Sequence, residues 1–237
     1  MSSQAGEAGA QRAAGERSRS IRLYTHALSP FSGKVRIALD EKGIRYEEEQ
    51  LPITRQRILE KPKAMLDANP RGQVPTLVAG DLVLYDSTVI LEWLEETHPE
   101  PPLLPRGADA RARARLLEDE GDWLMNGAVT QLLAQTYRLS DPAQRDPVAL
   151  GAATAALHTA FDRLEVGLAD GRPYLAGEAF SIADLSMNFS VAFAAFFGVP
   201  PTPSHPRLAA WLTRVSARPS IARETARMTE ALKTLPA

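Results

Sequence analysis

The period of polar and apolar positions changes near residue 105. Before it, short strand-like runs alternate with helical ones: IRLYTH (21–26), a helix from Pro30 to about Lys42, IRYEEEQL (44–51), a helical piece around Arg55 to Leu66, VPTLVAG (74–80), LVLY (82–85), and a helix from Ser87 to about Thr97. Gly80 and Asp81 form a tight turn, so the third and fourth strands read as a hairpin. The first two strands flank a helix, and such a crossover is parallel and right-handed. The compact solution is a four-stranded mixed sheet with helices on both faces. In HPEPPLLPRG (98–107) the prolines interrupt any regular element and suit an extended connector. Beyond it the pattern predicts helices from Ala108 to about Arg138, Pro147 to about Leu168, Ile182 to about Phe197, Pro206 to Ala217 and Pro219 to Leu235. The expected organisation is a flexible tail (1–20), an α/β domain (21–105) and an all-helical domain (106–237).

Composition narrows the function classes. The chain has 237 residues, of which 44% are apolar, enough to fill one large core or two small ones. A net charge of -2 leaves no broad basic field, so neither nucleic acid nor an anionic membrane is an expected partner. No apolar run approaches the ~18 residues of a membrane span, and the first twenty residues lack the apolar stretch of a secretory signal. Those twenty are mostly Ala, Gly, Ser and Arg, with Met1 the sole large apolar side chain, and Glu7 and Glu16 argue against a transit peptide. The expectation is a soluble cytoplasmic protein. The absence of cysteine excludes disulfides, thiolate metal sites and any thiol nucleophile borne by the chain. His26, His98, His158 and His205 stand too far apart to pair on one helix turn, so no metal site is expected.

Three short segments carry candidate chemistry. SPFSGKVRIALDEKG (29–43) buries one helix face through Val35, Ile37, Ala38 and Leu39, yet it opens with Ser29, Pro30 and Phe31. Ser29 suits an N-cap, and Pro30 suits the first helical position, where its missing N–H costs nothing. The amides of Phe31, Ser32 and Gly33 are then the donors near the helix start. In RGQVPTL (71–77), Pro75 sits at a strand's first residue, where its missing ladder donor is tolerable. A trans proline there would end a loop. A cis one would turn the backbone N–H and C=O of Val74 outward, where an extended peptide can pair with them. In YDSTVILEWL (85–94), Asp86 caps a helix, and its first amides, the Ser87 hydroxyl and the positive end of the dipole converge on a point that suits a carboxylate. FSIADLS (180–186) reads as a capping box between Ser181 and Asp184, a folding device.

Together, SPFSGKVRIALDEKG, NPRGQVPTL and DSTVILEWLEE resemble the glutathione transferase superfamily in its serine-type, tau- or zeta-like bacterial form. The likeness is strong over 21–105 and continues through the helical pattern and FSIADLS. It implies a thioredoxin-like first domain with a cis proline, and a helical second domain. It also implies that Val74 and Pro75 hold the tripeptide backbone of glutathione. Asp86 and Ser87 would hold its γ-glutamyl end, and Gln73 its glycine carboxylate, with Lys61 assigned there from position only. Ser29 would be the catalytic residue, donating its hydroxyl hydrogen to the thiolate, and Ser32 competes for that role. Taking a thiol from a pKa of about 8.5 to the mid sixes needs roughly 2–3 kcal/mol. A hydrogen bond to a charged group supplies ~1.5–3 kcal/mol and a helix N-terminus ~0.3–1 more. The thiolate would attack a small hydrophobic electrophile against the start of the helical domain. Trp123, Met125, Asn126, Tyr137, Phe189, Phe193, Phe196 and Phe197 could line its pocket or simply pack the core. The resemblance also implies a homodimer and glutathione as co-substrate, with no metal. A non-catalytic binding module, or a glutathione-dependent peroxidase, dehalogenase or etherase, are the competing readings.

Overall fold

The computed structural model describes residues 20–52, 60–139 and 141–234. Residues 1–19 of the predicted tail and residues 53–59, on which part of the expected Arg55–Leu66 helix falls, lie outside them. The chain divides into two compact units, one made of residues up to Pro102 together with those from Arg223 on, the other of Leu103–Ala222.

The first unit follows the predicted order. Strand β1 (Ile21–Thr25) leads into helix α1 (Pro30–Glu41), then β2 (Glu47–Gln50), α2 (Lys63–Ala68), the hairpin β3 (Thr76–Ala79) and β4 (Leu82–Tyr85), and α3 (Ser87–Thr97). The sheet order is β2-β1-β3-β4, with β1 and β2 parallel and the other pairs antiparallel. This is the mixed four-stranded sheet of a thioredoxin-like domain. Leu23, Leu77, Ile37, Leu39, Ile90 and Leu94 are fully buried, while Tyr24, Leu51 and Met65 form a cluster against Val74 and Val78. Within the described residues a helix occupies Lys63–Ala68, with Pro62 at its N-cap, where a missing N–H costs nothing. Strand β2 is also shorter than IRYEEEQL: the Ile44 N–H is spent on the carbonyl of Leu39 at the end of α1.

The arginines of the last helix, α9 (Pro219–Thr234), are tied to the first strands and helix: Arg223 pairs with Asp40 at 2.9 Å and Arg227 with Glu48 at 2.6 Å. Arg36, itself buried, is bound by both carboxylate oxygens of Glu224 and lies 3.3 Å from Glu48, which also accepts the Thr25 hydroxyl at 2.7 Å. A buried guanidinium needs such a fork of acceptors, and α9 supplies it.

In the second unit, α4 (Ala108–Leu124) runs on through a π-helical turn (Met125–Val129), the short α5 (Thr130–Leu133) and another π turn (Ala134–Arg138). Helices α6 (Pro147–Gly167), α7 (Ile182–Phe196) and α8 (Pro206–Ser216) complete the predicted bundle. Gly121 lets α4 and α7 touch: a Cβ there would stand 2.7 Å from Ser186 Oγ and 2.9 Å from the Met187 nitrogen. The capping box is present at the start of α7, which the buried Asp184 anchors. Among the described residues no helix is long and apolar enough to cross a membrane.

Candidate functional site

Strand register brings the three candidate segments to one edge. Tyr24 of β1 lies opposite Thr76 of β3, and Thr76 lies opposite Tyr85 of β4. The end of β1, the beginning of β3 and the end of β4 are therefore neighbours, at the ~4.8 Å spacing of adjacent strands. Val74–Pro75 and Asp86–Ser87 adjoin two of those ends directly, and Ser29 follows the third after the turn at residues 26–28.

At the first segment, His26 to Ser29 form a tight turn. The Ser29 N–H donates to the His26 carbonyl and the Leu28 N–H to His26 Nδ1, each at 3.2 Å. Burial pushes the His26 imidazole down to about 4, and the nearby Arg36 charge adds to the effect, so the ring is neutral near pH 7. Ser29 then caps α1: its Oγ accepts the Ser32 N–H at 3.0 Å, and its carbonyl accepts the Gly33 N–H at 2.9 Å. Two of the three amides expected to be donors are thus spent on Ser29, which narrows the expectation to the Phe31 amide. Capping uses the oxygen of the Ser29 hydroxyl and leaves its hydrogen to donate. Ser32 Oγ is buried and has no hydrogen-bond partner among the described residues.

The second segment is held by Asn69. Its buried side chain donates from Nδ2 to the Gln73 carbonyl at 3.0 Å and to Thr76 Oγ1 at 2.8 Å, and Oδ1 accepts the Arg71 N–H at 3.0 Å. The Thr76 hydroxyl donates to the same Gln73 carbonyl at 2.8 Å. The Val74–Pro75 bond within this clamp is cis. Gly72 has φ +58°, and a Cβ on it would lie 3.0 Å from Lys61 Nζ. The exposed Lys61 ammonium therefore stands against the residue preceding the exposed Gln73. Sequence reasoning missed Asn69 and Thr76, although the NPRGQVPT run contains both. An Asx residue ahead of a Pro–x–Gly turn is the available signal.

At the third segment, Asp86 is exposed and has φ 80°, a backbone conformation that costs a non-glycine residue ~1–3 kcal/mol. Its Oδ1 accepts the Thr88 N–H at 3.0 Å, and Ser87 is buried at the first turn of α3. The Arg71 guanidinium lies 5.3 Å from the centre of the Tyr85 ring, bridging the second and third segments.

In the second unit the aromatic candidates separate. Tyr137, Phe193, Phe196 and Phe197 form a chain of ring contacts with centroids 5.2–6.4 Å apart, and Phe189 joins it through Phe193. Phe189 and Met125 are buried core residues, whereas Trp123 and Phe196 are 64% and 63% exposed.

Comparison with known proteins agrees with this architecture. Residues 23–102 match the glutathione S-transferase N-terminal domain and residues 130–219 the C-terminal domain. The chain belongs to the glutathione S-transferase family. It is 32% identical to FtsZ-localized protein A of Caulobacter vibrioides over 204 residues, 83% of this chain and 87% of that protein. It is 33% identical to maleylacetoacetate isomerase of Dictyostelium discoideum over 186 residues, 76% of this chain and 82% of that one. The match to the stringent starvation protein A homolog of Pasteurella multocida, 39% over 103 residues, takes in 43% of this chain and only 46% of that protein. Among solved structures, the theta class glutathione S-transferase of Xanthomonas axonopodis pv. citri with glutathione bound superposes with a TM-score of 0.73 at 27% identity, covering 87% of this chain and 97% of that one.

Proposed function

We propose that the protein is a glutathione transferase. Glutathione lies along the first domain (21–105), with its backbone on Val74 and Pro75, its γ-glutamyl end at Asp86 and Ser87, and its glycine carboxylate near Gln73 and Lys61. The Ser29 hydroxyl donates to the sulfur and holds it as thiolate. That thiolate attacks a small hydrophobic electrophile. The sulfur forms a bond to the electrophilic carbon, and the leaving group departs with its electron pair. The single observation that carries this reading is the register, which brings the end of β1, the start of β3 beside the cis Val74–Pro75 bond and the end of β4 before α3 to one end of the sheet. Relatives named maleylacetoacetate isomerase and a theta class structure holding glutathione support it. A cytoplasmic homodimer is part of the same proposal.

A second reading, a binding module that keeps the fold without the chemistry, has its own support: the match to FtsZ-localized protein A spans 83% of this chain. Calorimetric titration with glutathione, followed by a turnover screen against aryl halides, epoxides, isothiocyanates, hydroperoxides and β-aryl ethers, separates the two. Saturable binding with turnover of at least one class is expected. Binding without turnover favours the module, and no binding removes the transferase reading.

A further inference from the structure

The turn before Ser29 is built on one residue. The His26 carbonyl and His26 Nδ1 accept the amides of Ser29 and Leu28, each at 3.2 Å, so a single residue fixes both peptide planes leading into the serine. An acceptor at Nδ1 requires the proton on Nε2, which sets the tautomer. The side-chain bond copies an Asx turn, in which a side-chain acceptor two residues back holds the chain where a backbone carbonyl otherwise would. Within this turn Ser29 reaches its extended backbone, φ -79° and ψ 115°, and its Oγ meets the Ser32 amide.

We infer that His26 is the positioning residue of the Ser29 hydroxyl: its neutral ring, through Nδ1, locks the turn that aims that hydroxyl at the glutathione sulfur. This rests on the transferase reading above. The ring is well suited to the task, because it is partly buried and faces Arg36. The carboxylates that compensate that guanidinium, Glu48 of β2 and Glu224 of α9, are already bound to it. A second proton on the ring would convert Nδ1 from acceptor to donor and open the turn.

His26→Asn keeps an acceptor near the Nδ1 position, whereas His26→Gln moves it out to where Nε2 lies, and both variants are polar and smaller than or similar to the histidine. The measurements are the pKa of the bound glutathione thiol, followed by its ultraviolet thiolate band, and kcat and KM for glutathione, with melting temperature recorded for each protein. In His26→Gln the thiol pKa should rise by about 1 unit and kcat should fall roughly tenfold with KM for glutathione little changed, since one unit corresponds to a tenfold change in the thiolate equilibrium. His26→Asn should stay within about threefold of the native protein, because an Asx acceptor serves the same turn. Equal thiol pKa values in His26→Gln and the native protein would overturn the inference, as would equal losses in both variants. If the native protein binds no glutathione at all, the transferase reading fails and takes this inference with it.

Discussion

Ser29 and Ser181 are both buried serines at the N-cap of a helix, and the two beginnings are built for different ends. At α7, the Ser181 N–H and hydroxyl both donate to Asp184 Oδ2, at 3.0 and 3.1 Å. Oδ1 of the same carboxylate accepts the Leu175 N–H and the Trp211 indole N–H, each at 2.8 Å. Both Asp184 oxygens and these four donors are closed upon one another inside one unit. At α1 the third helical position holds Ser32 in place of an acid, the first turn carries no carboxylate, and Ser32 Oγ has no partner among the described residues. Ser29 accepts one amide and keeps its hydrogen. A closed network rigidifies a core, whereas a helix start with donors still to give is ready for an anion. The same residue type at the same helical position thus serves folding in one unit and, in our reading, chemistry in the other.

The largest effect that would sharpen this contrast is on Asp184. In Asp184→Ala, the Trp211, Leu175 and Ser181 donors lose their acceptor in a dry site, and urea unfolding should show a loss of about 3–5 kcal/mol. The bound thiol pKa should not move. A loss under about 1 kcal/mol would mean that the box at α7 is no more closed than the one at α1.

Ser29→Ala comes next, since it removes a cap and a donor together. Stability should fall by about 1 kcal/mol through the cap, and kcat for the electrophile should fall about tenfold or more as the thiolate is lost. A stability loss without any kinetic effect would make Ser29 a folding residue like Ser181.

Acid should distinguish the units in a third way, because neither serine titrates. Burial pushes the Glu48 carboxyl up, but the Thr25 hydroxyl and the Arg227 and Arg36 guanidiniums outweigh it and hold the group below its ordinary value of 4.5. The folded value lies below the unfolded one, so the contribution of Glu48 to stability is complete above about pH 4.5 and disappears as pH falls through the lower folded value. Glu48→Gln should flatten that part of a stability-against-pH curve, and an unchanged curve would show that the α9 arginines do not hold the carboxylate.

The smallest expected effect is that of Ser32→Ala. Deleting a buried hydroxyl without a partner should leave stability within about 0.5 kcal/mol or raise it slightly, and should leave glutathione turnover as it was. A fall in turnover matching that of Ser29→Ala would transfer the donor role to Ser32.

The sequence announced some of this and concealed the rest for physical reasons. Alternation in IRLYTH, VPTLVAG and LVLY, with a Gly–Asp turn, is local information, and it sufficed for the strands and for the segments that meet at one edge. The S-x-x-D spacing made Ser181 and Asp184 legible in the same way. The Arg36–Glu224 and Arg227–Glu48 pairs join residues 188 and 179 positions apart, and no local pattern reports such a partner. Asn69 was missed although its Pro–x–Gly run signals a turn, because most of its work is done on backbone groups of Arg71 and Gln73, which look alike in every sequence. The π turns after Leu124 were hidden as well, since a helix that widens by one residue keeps nearly the same apolar rhythm.

The most direct measurement is a pH titration of the ultraviolet thiolate band of glutathione bound to the native protein and to Ser29→Ala. The native complex should titrate well below the ~8.5 of a free thiol, and the variant about 1–2 units higher with the tripeptide still bound. Coincident titration curves for the two proteins, or a native complex that titrates like free glutathione, would contradict the assignment of the Ser29 hydroxyl to the sulfur.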